Sequence, residues 1–186
     1  MSTIKHDTMI RSSITLCLLL ALSGFVYGQS EPAVAAVWKT LDEADFSISY
    51  PSDWELDQSG NLGVSFFLFS PLSDSTDDFR ENINLLIQDL TGYDLDLDQY
   101  TELSKEQIKA MMTDGEILLN EKLGPEGKEH QRIIYTGTQG NYDLQFEQFY
   151  WVIGQEAYVL TLTCKRGEFE RYQEMGEKIL RSFVLK

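Results

Sequence analysis

Two histidines and two cysteines bound the chemistry open to this chain. His6 and Cys17 lie in a leader-like stretch, which leaves His130 and Cys164 for a folded domain. A Ser-His-Asp system would have to use His130, but no Gly-x-Ser-x-Gly elbow accompanies it. Gly63-Val-Ser-Phe-Phe67 lacks the second glycine and reads as strand. His130 opens a strand pattern beside Glu129 and is expected to be a solvated strand-end side chain. Cys164 closes the apolar run Tyr158-Val-Leu-Thr-Leu-Thr-Cys164, where a thiolate is disfavoured, so it is expected to be a small buried hydrophobe. One histidine and one cysteine cannot close a structural zinc site. Gly-rich phosphate loops are absent, and no cofactor is expected.

Carboxylates are the remaining candidates. Asp94, Asp96 and Asp98 stand at alternate positions, as at the start of an EF-hand loop. The pattern then fails: Gln99 occupies the sharp-turn glycine position and Lys105 the position of the bidentate glutamate. A solvated lead-in to a helix accounts for all three, with Leu95 and Leu97 turned inward and Asp98 near a helix N-terminus that favours its charge. Asp74, Asp77 and Asp78 form a second group in a Ser- and Asp-rich loop. No metal site is assigned to either. The six aspartates are carried forward as candidate binding positions, with a calcium-dependent scaffold as one alternative. In a chain with 30 acidic residues any two carboxylates can fall close together, so glycosidase-like pairing has no specific signal here. The aromatics Phe146, Phe149, Tyr150 and Trp151 could line a groove, but strands favour aromatics and core packing explains them.

The elements that position these residues follow from periodicity. Ala33 to Leu41 is expected to be helical after Pro32. Phe46-Ser-Ile-Ser-Tyr50 alternates with period two and reads as a half-buried strand, ended by Pro51-Ser52-Asp53, with Trp54 folding back into the core. Gly63 to Ser70 is apolar on both faces, as in a central strand. Pro71 to Glu81 reads as loop and Asn82 to Asp89 as strand. Helical spacing from Leu97 to Met112 predicts a helix over 98–113, closed by Asp114-Gly115. Three strands follow, 116–123, 130–138 and 142–153, and then a fourth, 157–164, joined by short glycine-bearing turns as a meander. A last helix presents Phe169, Tyr172, Gly176, Ile179, Leu180 and Phe183 on one face.

The N-terminus carries Lys5 and Arg11, then the apolar run Ile14 to Leu22, then Ser23-Gly24-Phe25-Val26-Tyr27-Gly28. This reads as a secretory signal cleaved after Gly28. The apolar run is shorter than the ~20 residues a spanning helix needs, and Cys17 sits inside it rather than after it, which excludes both an anchor and a lipobox. Residues 29–41 read as a connector and 42–186 as one domain. The formal net charge of −15 disfavours nucleic acid and suits a soluble exported protein. With Cys164 alone after the leader, the domain is held by its core and not by a disulfide.

Two stretches carry a family resemblance. Asp45-Phe-Ser-Ile-Ser-Tyr-Pro-Ser-Asp-Trp54 resembles the G-F-S-I-x-Y-P-x-x-W opening of PsbP-like domains, with Asp45 in place of the usual glycine. Tyr158-Val-Leu-Thr, the helix after it and Ser182-Phe183 resemble their close. The resemblance covers residues 42–186. It implies an α+β fold, an α/β/α sandwich around a largely antiparallel sheet of six to seven strands with flanking helices. It also implies a binding or assembly role, with no catalytic residues to carry over. Together these readings predict an exported, non-enzymatic factor acting in the periplasm or outside the cell, on a protein or envelope component, and not embedded in the membrane. A hydrolase of envelope glycans or lipids is the other alternative.

Overall fold

The strands between Tyr142 and Lys165 bury residues of both faces, which requires a sheet covered on both sides. The computed structural model describes residues 37–186. The expected signal, residues 1–28, lies outside the described residues, as does most of the connector. Strand β1 spans Trp38–Asp42, β2 Phe46–Pro51, β3 Glu55–Asp57, β4 Phe66–Phe69 and β5 Asn82–Asp89. Helix α1 is Leu97–Met111. Then come β6 Thr113–Leu123, β7 His130–Gln139, β8 Tyr142–Ile153 and β9 Glu156–Lys165. Helix α2, Phe169–Arg181, and the short β10, Val184–Leu185, complete the fold.

Seven strands form one sheet in the order β3-β4-β5-β9-β8-β7-β6, and every pairing in it is antiparallel. The expected meander from β6 to β9 is present with tight turns, Gly140 and Gly154 each taking a positive φ that a side chain would resist. A second sheet, β1-β2-β10, is also antiparallel. Alternate residues of the large sheet feed two cores. On one face Ile83, Leu85, Leu160 and Leu162 pack with Phe46, Ile48, Ile179, Leu180 and Phe183, so β2 and α2 cover that side. On the other face Ile133, Tyr135, Tyr150 and Val159 pack under Ile108, with Tyr100 and Met112 at the margin, so α1 covers that side.

Local chemistry fixes both helices. Asp96 caps α1 by accepting from the Gln99 backbone N–H at 2.8 Å, while the Gln99 side chain accepts from the Asp96 N–H at 3.0 Å. At the end of α2, the Ser182 hydroxyl donates to the Ile179 carbonyl at 2.6 Å and accepts from the Ser49 N–H at 2.9 Å. That ties the helix to β2. A Cβ on Gly176 would stand 2.5 Å from Leu162 Cδ2, so α2 sits against β9 as closely as it does because position 176 has no side chain.

Three expectations are corrected. The stretch around Trp38 is an edge strand rather than a helix: residues 38–42 pair in register with 51–47, so the last residues of the expected connector belong to the small sheet. β4 is only four residues long and second from the sheet edge, with Phe66 and Leu68 buried while Phe67 and Phe69 are half-exposed. Asp114-Gly115 does not close α1; Asp114 takes φ 55° in a register shift at the start of β6.

Candidate functional site

The acidic residues singled out in the sequence mostly hold the chain's own turns. Asp74 accepts from the Thr76 N–H at 2.7 Å and its hydroxyl at 2.6 Å. Asp77 accepts from the Ser73 N–H and hydroxyl, both at 3.0 Å, and from the Phe79 N–H at 3.2 Å. The Ser73 and Phe79 amides pull its pKa down to about 2. Asp78 pairs with Lys165 at 2.5 Å, and the structure thereby brings Asp77 and Asp78 together around one cation. Asp94 is exposed at φ 47° in the turn before α1. Asp96 is the helix cap, and Asp98, in the first turn, pairs with Lys122. Among the described residues no three His, Cys, Asp or Glu side chains cluster as a metal site would require.

His130 is not the solvated side chain expected of a strand end. Its ring stacks on Trp151 at 5.0 Å and lies 5.2 Å from Phe149. Burial, then the Arg181 charge, lowers its pKa. Cys164 is fully buried, and burial pushes its thiol pKa up.

A buried ionic cluster had no signal in the sequence, because its members are scattered along the chain. Arg132 donates from Nε to Glu147 at 2.7 Å, from Nη1 to Glu121 at 3.1 Å and from Nη2 to Glu177 at 2.5 Å. The Glu147 side chain has no exposed surface, and burial raises its pKa against the pull of Arg132. One of its oxygens, Oε2, has no partner among the described residues. The cluster joins α2 to β6, β7 and β8, which is an architectural role.

The α1 face of the sheet is different, because the helix covers only part of it. Between α1 and the sheet lies a recess of about 300 Å³, walled by Leu86, Ile108 and Val159 with Gln88 and Ser104. Beyond the end of the helix lies a second, of about 340 Å³, walled by Phe67, Phe79, Asn84, Phe146 and Thr161. Met112 and Tyr135 belong to both. Tyr135 stacks on Phe146 with centroids 4.6 Å apart and makes the floor. Its hydroxyl has no hydrogen-bond partner among the described residues, and burial raises its pKa. No charged side chain lines either recess. A larger cleft of about 620 Å³ opens on the opposite face near Leu118 and Gln173, and it carries Arg166 and Glu170. Of the aromatics named as possible groove residues, only Phe146 reaches the paired recesses. Tyr150 is sealed beneath Tyr100, and Phe149 and Trp151 point to the other face with His130.

The chain matches no protein-family model and no curated protein. Among solved structures it is similar to cyanobacterial PsbP (CyanoP) from Synechocystis, at 13% identity and TM-score 0.62, over 86% of this chain and 99% of that one. It is also similar to LpqN of Mycobacterium tuberculosis, described as involved in cell envelope biogenesis, at 13% identity and TM-score 0.60, over 82% and 92% of the two chains. A third, PA94 from Pseudomonas aeruginosa, a protein of unknown function described as a putative regulator, aligns at 13% identity and TM-score 0.59, over 80% and 97%. The fold is therefore PsbP-like, as the motifs at Phe46–Trp54 and Tyr158–Phe183 led one to expect.

Proposed function

We propose that this PsbP-like chain is an exported, non-enzymatic binding or assembly factor of the cell envelope, and that its ligand seats in the paired recess on the α1 face. The observation that carries the reading is the recess itself: a concave, uncharged surface on a sheet face that α1 leaves partly uncovered. Two further points support it. His130 and Cys164 are held in packing rather than beside a nucleophile or base. The leader-like N-terminus, and the envelope role stated for LpqN, favour the same compartment. The six aspartates named from sequence are proposed as secondary contacts at most.

Complementation of a deletion strain tests this, with secretion and protein level checked for each variant. Asn84→Lys, a charge placed in the recess wall, is expected to abolish function. His130→Ala is expected to retain it, because loss of a general acid or base removes typically ~10²–10⁴-fold of activity. A silent Asn84→Lys together with a dead, folded His130→Ala would replace the binding factor with an enzyme.

A further inference from the structure

We propose that the paired recess takes an uncharged, chiefly apolar chain that ends in a neutral hydrogen-bonding head, such as an acyl chain esterified to a polyol. The inference rests on the recess being the binding site and adds the chemistry of its occupant.

Charge gives the first argument. The chain carries 30 acidic and 15 basic residues, yet none of them lines either recess. An anionic ligand would approach a strongly negative protein and meet no cation inside. A cationic one would be attracted to the surface but find no carboxylate in the recess to replace its lost hydration. A neutral ligand incurs neither loss.

Lining and shape give the second. Leu86, Ile108, Val159 and Phe67 supply apolar wall, while Asn84, Gln88 and Thr161 supply amide and hydroxyl groups along it. Asn84 and Gln88 lie on one face of β5, four residues apart, so the lined path between them is about 13 Å long. A path of that length along a strand fits an extended chain better than a compact ring. Tyr135 is 4% exposed and lines both recesses, and its hydroxyl makes no hydrogen bond to another described residue, so it is free to donate to a neutral acceptor on the ligand.

Two residues adapt the site. Met112 stands between the recesses, and its unbranched thioether can swing to join them. Leu62, at the rim of the second recess, is 89% exposed and held at φ 57°. An apolar side chain in a conformation unfavourable for leucine, and in open solvent, is positioned to fold over a seated chain.

The experiment titrates the purified full chain with four probes, each below its aggregation threshold: a monoacylglycerol, the fatty acid and the alkylamine of matching chain length, and a neutral oligosaccharide. Calorimetry should show the monoacylglycerol binding at least about tenfold tighter than either charged amphiphile, and no heat from the oligosaccharide. Leu62→Asn, which tolerates the left-handed backbone, should weaken monoacylglycerol about fivefold without lowering the melting temperature. Leu118→Asn, on the opposite face, should change nothing. Equal affinity for charged and neutral amphiphiles, binding of the sugar alone, or a dimer that the probe dissociates would each overturn the assignment. If no amphiphile binds while Asn84→Lys still abolishes complementation, the ligand class falls and the recess stands. If Asn84→Lys is silent as well, both fall.

Discussion

The Met112 Cβ occupies the space that a side chain at Gly137 would fill: a Cβ built on Gly137 stands 2.7 Å from it. The end of α1 thus rests on bare β7 backbone, and this contact places Met112 between the two recesses. Gly137→Ala must push the helix end away, and overpacking of this kind costs about 1–3 kcal/mol. Urea unfolding measures it. An alanine variant with the wild-type midpoint would show that α1 does not approach β7 so closely.

Arg132 is the cation that hydrogen-bonds the buried Glu147 carboxylate, at 2.7 Å. Arg132→Ala strands Glu147, whose side chain is fully buried, and is expected to cost about 3–5 kcal/mol in chemical denaturation. Replacing both residues with leucine should recover most of that loss. Burial raises the folded pKa of Glu147 above its unfolded value, so the folded state holds the proton more tightly. The resulting stabilisation is fully present below the unfolded pKa and is lost as pH rises through the folded one. Wild type should therefore gain on Glu147→Gln as the solution is acidified through that window.

His130 titrates with the opposite sign. Burial and Arg181 lower its folded pKa, which favours the neutral ring stacked on Trp151. That contribution is present above the unfolded pKa of about 6.5 and disappears as pH falls through the lowered folded value. Melting curves of wild type and His130→Phe between about pH 7.5 and 5 should converge at the upper end and separate at the lower, with wild type losing more. Parallel curves would mean that the imidazole is solvated in both states.

Cys164 should resist a thiol reagent in the folded protein and react only on unfolding, because it is fully buried and its thiol pKa is raised. Cys164→Ala should cost about 1–2 kcal/mol, read by thermal denaturation with and without reductant. Fast labelling under native conditions would contradict the packing on that face.

The fold could be read from sequence where alternation ran long. Strands β5 to β9 each carry enough apolar residues at period two to declare themselves, and the last helix carries its face on Phe169, Gly176, Ile179 and Leu180. β1 does not declare itself in sequence, because in Trp38-Lys-Thr-Leu-Asp42 only Leu41 is buried, and an edge strand with one solvent face shows too few repeats to set a period. The recess could not be read, for a different reason. Its residues come from α1 and from β4, β5, β7, β8 and β9, and Phe146 and Phe149 look equivalent in sequence although a separation of three sends them to opposite faces. The Arg132 cluster joins residues 121, 132, 147 and 177, which only the strand register and α2 bring together. The acidic groups stand out in sequence because they are contiguous, and their contiguity reflects turn-building and capping.

Strand β10 pairs Val184 with Ser47 and Leu185 with Phe46, and Ser182 holds Ser49 across a separation of 133 residues. A chain that emerges amino end first, from a ribosome or through a membrane channel, can zip the local β6–β9 meander early, because neighbouring strands close short loops. Phe46 and Ile48 have to wait for Phe183 and α2, which are delivered last. Val184 and Leu185 act as a clasp: until they reach β2, the small sheet stays open and the apolar face of β2 remains in water.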